Sequence, residues 1–376
     1  MNPVLALGLV AAAGIAVTRL PRVPVRRLPH ADVLVAAGTP LLLLGLLLGP
    51  GIGMMDRPVL HALAPVTALA IGWIGAVFGS RFEWRYVRRI PPATWARVLL
   101  QSVVVLALVG GAAWLLTRAR PELGLAWVPT IPAVLTLAAA AAVSGPGAAL
   151  DTAFGALAFT ITLAIYHPNQ PVPDAVFTWY EWLILAIGSG LLVGVMFLRL
   201  TRFEPRRDLT LPLLGTVLFG AGVGYAADLS PFVVSAVAAA LIVNASPLRR
   251  RVRAVLSAWE HAIYAVFLVI AGALLELPTF WILVAVPVLA GLPIAVRWAA
   301  VRFGLGPLQA TRVPPHVGVA TVAQGGVALA LGINFSMTFG GAAAGAVVTT
   351  IVLGMALAQL AAPPLRLRAL RAAVPD

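Results

Sequence analysis

The chain has 376 residues, of which 61% are hydrophobic and only 10% are charged, and it carries a net charge of +13. A soluble protein of this length has about 25% charged residues, so the composition predicts an all-α polytopic membrane protein whose residues 1–376 form one integral membrane domain with no soluble domain. The chain has no cysteine and therefore no disulfide or thiolate metal site. No nucleotide-binding loop or catalytic motif stands out, so we expect a protein that is not an enzyme and needs no cofactor.

Apolar segments recur along the whole chain, at lengths near the roughly 17–25 residues of one helical crossing. The first segment lacks the basic residues that would precede it in a signal peptide, which indicates a membrane helix. The segments predict thirteen transmembrane helices. Their predicted spans are Pro3–Val17, Val33–Leu48, Val59–Phe78, Val98–Leu116, Val128–Val143, Ala148–Tyr166, Phe177–Leu198, Leu209–Ala226, Phe232–Val243, Ala258–Leu275, Phe280–Val301, Val317–Leu331 and Gly340–Leu360.

The arginines provide an independent test of this topology. All 26 basic residues are arginine, and arginine is enriched in the cytoplasmic loops of membrane proteins. Arg57, Arg118 and Arg120 fall in predicted outside loops, Arg297 falls within a span, and the others fall in predicted inside segments. This alternation predicts an odd number of crossings, with the N-terminus outside and the C-terminus in the cytoplasm. We expect the membrane to be the bacterial plasma membrane. It also accounts for the positive charge without a nucleic-acid partner.

Two interruptions of the apolar pattern mark a candidate binding region. The tetrapeptide Ser144-Gly145-Pro146-Gly147 separates the fifth and sixth spans, where proline removes a backbone donor and glycine permits unusual dihedral angles. The tripeptide Gln324-Gly325-Gly326 interrupts the twelfth span, and each glycine weakens a helix by roughly 1 kcal/mol. Broken helices mark substrate sites in transporters, whereas glycines are also common where membrane helices pack closely. Both interpretations of the two glycines stay open.

The order of the spans is consistent with an inverted repeat. Spans five and twelve are seven apart in the chain, so they cross the membrane in opposite directions. The triplets of spans four to six and eleven to thirteen are therefore predicted to be related by an inverted-topology repeat.

Four segments rich in glycine or other small residues occur in an order that is typical of one transporter family. They are Leu43–Gly53 (LLGLLLGPGIG), Leu69–Arg89, Leu229–Pro247 and Val317–Leu331. With them the chain resembles the cation:proton antiporters of the sodium/proton exchanger superfamily, and is similar to the monovalent cation:proton antiporter-2 group. The resemblance implies a dimeric bundle with two crossing broken helices in a six-helix core. It also implies exchange of Na⁺ or K⁺ for H⁺ by alternating access.

The chain departs from the family at the positions where its ion site is expected. Thr160 and Ile161 stand where the sixth helix usually carries one or two acids, and Val327 stands where the late motif normally ends in Glu. The eleventh helix often carries a Lys; here Pro293 lies near that place and Arg297 lies about one turn further on. The scaffold therefore matches the family better than the ion site does.

Asp151 is the best candidate for the carboxylate that a cation:proton exchanger must protonate and deprotonate. It follows the first break and lies in a core triplet, whereas most other acids lie in loops or at helix ends. We expect Thr152, Thr160, Thr162, Gln324 and backbone carbonyls to add ligands, with no metal site other than that of the transported cation. The alternative is a cap or first-turn acid at the inner surface, stabilised by the helix dipole.

Arg297 is the only basic residue well inside a predicted span. A buried charge is costly unless it is compensated, so Arg297 is a candidate for balancing the carbonyl ends of broken helices, as the family's lysine is thought to do. The alternative is that its side chain reaches toward the inner surface near Arg302.

These features predict a secondary transporter that exchanges Na⁺ or K⁺ for protons. Its expected partners are the monovalent cation, protons, the lipid bilayer and a second copy in a homodimer. Two alternatives use the same scaffold: a transporter of an organic anion or another small solute, and a degenerate homologue that does not transport.

Overall fold

The computed structural model describes residues 38–119, 127–143, 149–168, 177–202, 209–275, 280–302 and 326–373, together with Gly8 and Ala12. Across these residues the regular structure is helical and includes no strand, which confirms the predicted all-α class. The helices are α1 (Thr39–Leu46, continued by a π-helical segment, Leu47–Gly51), α2 (Arg57–Ala62), α3 (Ala64–Gly79), α4 (Trp84–Val87), α5 (Pro92–Ala119), α6 (Trp127–Ala142), α7 (Ala149–Ile165), α8 (Trp179–Thr201), α9 (Thr210–Ala226), α10 (Pro231–Ala245), α11 (Arg249–Ala273), α12 (Phe280–Arg302), α13 (Gly326–Phe339) and α14 (Gly341–Ala373).

Among the residues that the structure describes, three helices are long and apolar enough to cross a membrane by length and composition, namely α5, α8 and α11. The other apolar helices of the described chain are shorter, with apolar stretches of 10–17 residues. The segment Pro3–Val17 lies outside the described chain except for Gly8 and Ala12. The count of thirteen crossings and the orientation of the termini stay predictions.

Several predicted spans differ at one end from the helices that contain them: α5 begins at Pro92 rather than Val98, and α14 continues to Ala373 rather than ending at Leu360. The tenth was predicted to begin at Ala258, but α11 begins at Arg249, because its first turn is held by polar contacts that an apolar pattern does not register. The twelfth was predicted to end at Leu331, but α13 continues to Phe339. The four residues that follow Leu331, among them Asn334, are buried, so this polar residue lies within the packed part of the helix.

The described helices divide into two compact units. The first unit contains Leu41–Arg89 and Leu163–Leu274, and α3 packs against α9, α10 and α11 within it. Gly75 and Gly79 lie where α3 crosses α10, and a methyl group at either would collide with the backbone of Phe232 or Ala236. Small residues allow this close approach of two helix backbones.

The second unit contains Ile90–Thr162 and the described residues after Leu274. It holds α5, α6, nearly all of α7, and α12 to α14, which are the helices of the two predicted triplets. In this unit α6 contacts α5, α12, α13 and α14. The C-terminal end of α6 is therefore enclosed by other helices, and the candidate site lies at this end.

Candidate ion-binding site

Asp151 lies in the first turn of α7, as the third residue of the helix. Its exposed fraction is 5%, so it is not an acid at the protein surface. The first-turn position agrees with the alternative interpretation of Asp151 as a cap or first-turn acid, because the helix dipole favours a carboxylate there. Burial is the feature that the cap interpretation does not require.

Gln101 is a partner of Asp151 that the sequence analysis did not identify. Its Nε2 donates a hydrogen bond to the Asp151 Oδ2 over 3.4 Å, and the Gln101 side chain is itself buried. The sequence did contain a signal, since Gln101 is a polar residue inside the apolar span Val98–Leu116. An amide offers both a donor and an acceptor, so the same side chain can serve a carboxylate or a cation.

Arg297 belongs to α12, and its side chain contacts the C-terminal end of α6. Its Nη2 donates to the carbonyl oxygens of Ala141, Ala142 and Val143 at 3.3, 3.1 and 3.2 Å. The last carbonyls of a helix lack partners within the helix and carry a partial negative charge. This contact is what the charge-balancing interpretation of Arg297 requires. Only 3% of Arg297 is exposed, whereas a side chain that reached the inner surface would be more exposed.

The Arg297 guanidinium has further hydrogen-bonding capacity. Among the residues that the structure describes, its Nε and Nη1 atoms are buried and have no hydrogen-bond partner. Asp151 is near enough for its charge to act on Arg297. The site thus combines a carboxylate, a guanidinium and the negative end of a helix in one buried region.

Gly155 sets the distance between α7 and α6. It lies one turn beyond Asp151, and a methyl group at this position would lie 2.6 Å from the carbonyl oxygen of Ala139 and 3.3 Å from the backbone nitrogen of Val143. Both contacts are with backbone atoms, which move only if the two helices separate. Glycine at 155 therefore keeps Asp151 beside the end of α6.

We expect Gly155→Ala to reduce both exchange activity and thermal stability, because overpacking of a tight contact costs about 1–3 kcal/mol. The matched control is Gly111→Ala on α5, where a methyl group meets nothing within 4 Å and helix propensity improves. Thermal unfolding of the two purified variants measures the effect. Equal stability of Gly155→Ala and the control would contradict the close-contact role.

Thr160 and Thr162 do not lie beside Asp151. They are on the same helix, nine and eleven residues further on, which places them about 14 and 17 Å along the axis. The Thr160 hydroxyl donates to the Ala156 carbonyl at 2.7 Å, and the Thr162 hydroxyl donates to the Ala158 carbonyl at 2.8 Å. One cation cannot contact Asp151 and either of these hydroxyls, so the structure does not bring the three residues together.

The helix breaks fall mostly outside the described residues. Ser144, Gly145, Pro146 and Gly147 lie between α6 and α7, and Gln324 and Gly325 immediately precede α13; none of them is described. Gly326 is the first described residue of α13. The break at 324–326 and the ligand role of Gln324 stay predictions.

Comparison with known proteins gives no match among protein-family models or curated sequences. Solved structures do match. The sodium proton antiporter MjNhaP1 from Methanocaldococcus jannaschii at pH 8 matches with a TM-score of 0.65 and 14% identity, over 98% of this chain and 100% of that chain. A second structure of that antiporter, from electron microscopy, matches with a TM-score of 0.61 and 16% identity, over 100% of both chains. The chain has the sodium proton antiporter fold.

The antiporter fold confirms the resemblance at the level of the fold. The match extends over nearly the whole chain, so the antiporter fold includes both units. Together with the apolar helices, it identifies an integral membrane protein, and the similar structures are of a transporter rather than an enzyme. Similarity to the antiporter-2 group in particular stays a prediction.

Proposed function

We propose that this protein is a secondary active transporter that exchanges a monovalent cation, Na⁺ or K⁺, for protons by alternating access. The observation that carries the proposal is the burial of Asp151 in an antiporter fold, beside Gln101 and within electrostatic range of Arg297. The similar solved structures are of a sodium proton antiporter, which supports a cation and a proton as the exchanged species.

The chemistry of exchange follows from placing one carboxylate in a buried site. Burial disfavours a carboxylate whose charge is not compensated, so Asp151 binds a proton when the cation leaves and releases it when a cation arrives. Oxygen ligands suit a hard monovalent cation, and the amide of Gln101 can offer its oxygen after the cation displaces the donor. The competition for one carboxylate couples the two fluxes.

Arg297 supports this chemistry without contacting the cation. Its hydrogen bonds neutralise the end of α6, which allows a helix to end inside the unit. Its positive charge also offsets the negative charge of the Asp151 carboxylate, so that the proton can leave when a cation arrives. Arg297 is thus a positioning and charge-balancing residue.

The proposed assembly is a homodimer in the bacterial plasma membrane, with the N-terminus outside and the C-terminus in the cytoplasm. The arginine distribution supports the orientation. Single cysteines introduced near Arg57 and Arg118 would be accessible to an impermeant reagent from outside, and those near Arg85 and Arg250 would not.

A vesicle assay tests the function. Purified protein is reconstituted with a pH-sensitive dye, a proton gradient is imposed, and Na⁺, K⁺ or Li⁺ is added in turn. We expect one or more of these cations to dissipate the gradient. Gradient dissipation by an organic anion alone would favour the anion transporter, and no response to either class of solute would favour the non-transporting homologue.

Gln101 provides a prediction within the proposed site. We expect Gln101→Leu to weaken apparent cation affinity about 10-fold, since a hydrogen bond to a charged group contributes about 1.5–3 kcal/mol and this one is long. The control is Ser102→Ala, because the Ser102 hydroxyl is buried without a hydrogen-bond partner among the described residues. The cation concentration for half-maximal exchange is the readout. An unchanged value for Gln101→Leu would exclude Gln101 from the site.

A further inference from the structure

The segment that follows α3 is held by a buried acid. Glu83 has only 6% of its side chain exposed; its carboxylate accepts a hydrogen bond from Arg253 Nη2 at 3.0 Å and forms an ion pair with Arg249 Nε at 3.4 Å. Arg253 also donates from Nε to the Ser80 carbonyl at 3.0 Å. The one acid in the segment 81–89 is therefore engaged by two arginines of α11 and leaves no negative charge at the surface.

Asn244 fixes the same segment to α10. Its Nδ2 donates to the Phe82 carbonyl at 2.7 Å, and its Oδ1 accepts from the Trp84 backbone nitrogen at 2.7 Å. Its Nδ2 also donates to the Ala240 carbonyl of its own helix at 2.7 Å. The short helix α4 could not keep its orientation alone, and these contacts hold it at a defined place beside α10.

The side chains of α4 face away from these contacts. Trp84 and Tyr86 are 64% and 62% exposed, and the neighbouring Arg85, Arg88 and Arg89 are exposed as well. Within the described part of the chain, no hydrogen bond or ion pair engages these three arginine side chains. A rigid support thus presents two large aromatic side chains and three cations on one short segment.

We propose that the α4 platform, defined as Trp84–Arg89 on its support of Glu83 and Asn244, binds the phosphate groups of anionic phospholipids. A guanidinium group can donate two parallel hydrogen bonds to a phosphate group. Trp and Tyr are enriched at the interface between hydrocarbon and water. The platform continues directly from the apolar helix α3, which brings it to the depth of the lipid headgroups. Charge complementarity selects an anionic lipid, and the predicted orientation places it in the cytoplasmic leaflet.

The test uses the full-length protein in neutral detergent, with added phosphatidylglycerol or phosphatidylcholine. We expect phosphatidylglycerol to raise the unfolding temperature and phosphatidylcholine to leave it nearly unchanged. The variant Arg85→Gln/Arg89→Gln should lose at least half of the phosphatidylglycerol shift. The matched control Arg57→Gln/Arg118→Gln makes the same change in net charge at predicted outside positions, and it should keep the shift.

Two outcomes would overturn the proposal. One is a full phosphatidylglycerol shift in Arg85→Gln/Arg89→Gln; the other is an equal loss in the control, which would indicate a general effect of net charge. If the double variant does not fold, the single variants Arg85→Gln and Arg89→Gln replace it, and a full shift in both would be equally contradictory. Asn244→Ala keeps every charge and should also weaken the phosphatidylglycerol shift, because it removes the hydrogen bonds that hold α4. A full shift in Asn244→Ala would show that this support is not needed for lipid binding.

Discussion

Replacing Asp151 by Asn is expected to reduce cation-dependent proton exchange to the background of empty vesicles. The substitution keeps the size and shape of the side chain but removes its titration, and burial at 5% exposure leaves solvent unable to substitute for it. Asp151→Glu should keep partial activity with a shifted pH profile, because it retains a carboxylate at a different distance from Gln101. Exchange rates in reconstituted vesicles across a pH series measure both effects.

The matched control is Asp228→Asn. Asp228 is exposed and has a positive φ of 54°, a conformation that Asn adopts readily. It should transport normally. The cap interpretation of Asp151 predicts the reverse of our expectation, because Asn is also favourable at helix N-termini. Normal exchange by a well-folded Asp151→Asn would show that this carboxylate does not carry the proton.

Replacing Arg297 by Ala is expected to have the largest effect on stability. The change leaves the carbonyls of Ala141, Ala142 and Val143 without their donor and removes the cation that offsets Asp151. Loss of one partner from a buried charged interaction costs about 3–5 kcal/mol. We therefore expect a marked fall in unfolding temperature together with loss of exchange. Arg297→Lys restores one cation and should recover part of both.

Arg118→Ala is the control for Arg297→Ala. Its guanidinium lies 5.0 Å from the centre of the Trp114 ring but is exposed, so its removal should cost at most about 1 kcal/mol. Thermal unfolding in detergent distinguishes the two. If Arg297→Ala were as stable as Arg118→Ala, the contacts with α6 would not support the fold, and the surface-reaching interpretation would be favoured.

The helices around the site could be predicted from sequence because clear signals delimit them. The predicted spans Val128–Val143 and Ala148–Tyr166 agree with α6 and α7 to within one residue at each end, since a Ser-Gly-Pro-Gly sequence separates two apolar runs. The start of α11 could not be predicted in the same way. Its first turn is rich in arginine, and Arg249 and Arg253 pair with Glu83, which is distant in the chain.

The composition of the site was only partly predictable. Asp151 and Arg297 stand out because they are charges in apolar surroundings, whereas Gln101 is one of several polar residues in spans and its importance depends on where α5 meets α7. Thr160 and Thr162 were expected as ligands because they are hydroxyl residues on the same predicted span as Asp151. Their distance from Asp151 follows from the helical rise alone, and their hydroxyls are already used by carbonyls of α7.

The central claim is that a proton and a cation compete for the Asp151 carboxylate, and proton release on cation binding tests it most directly. Purified protein in weakly buffered detergent solution is titrated with Na⁺ or K⁺ while the pH is recorded, near the pH at which exchange is half-maximal. We predict that the transported cation releases protons from the wild-type protein, up to one per chain, and that it releases none from Asp151→Asn. Cation binding without proton release, or the same release from Asp151→Asn, would contradict the claim.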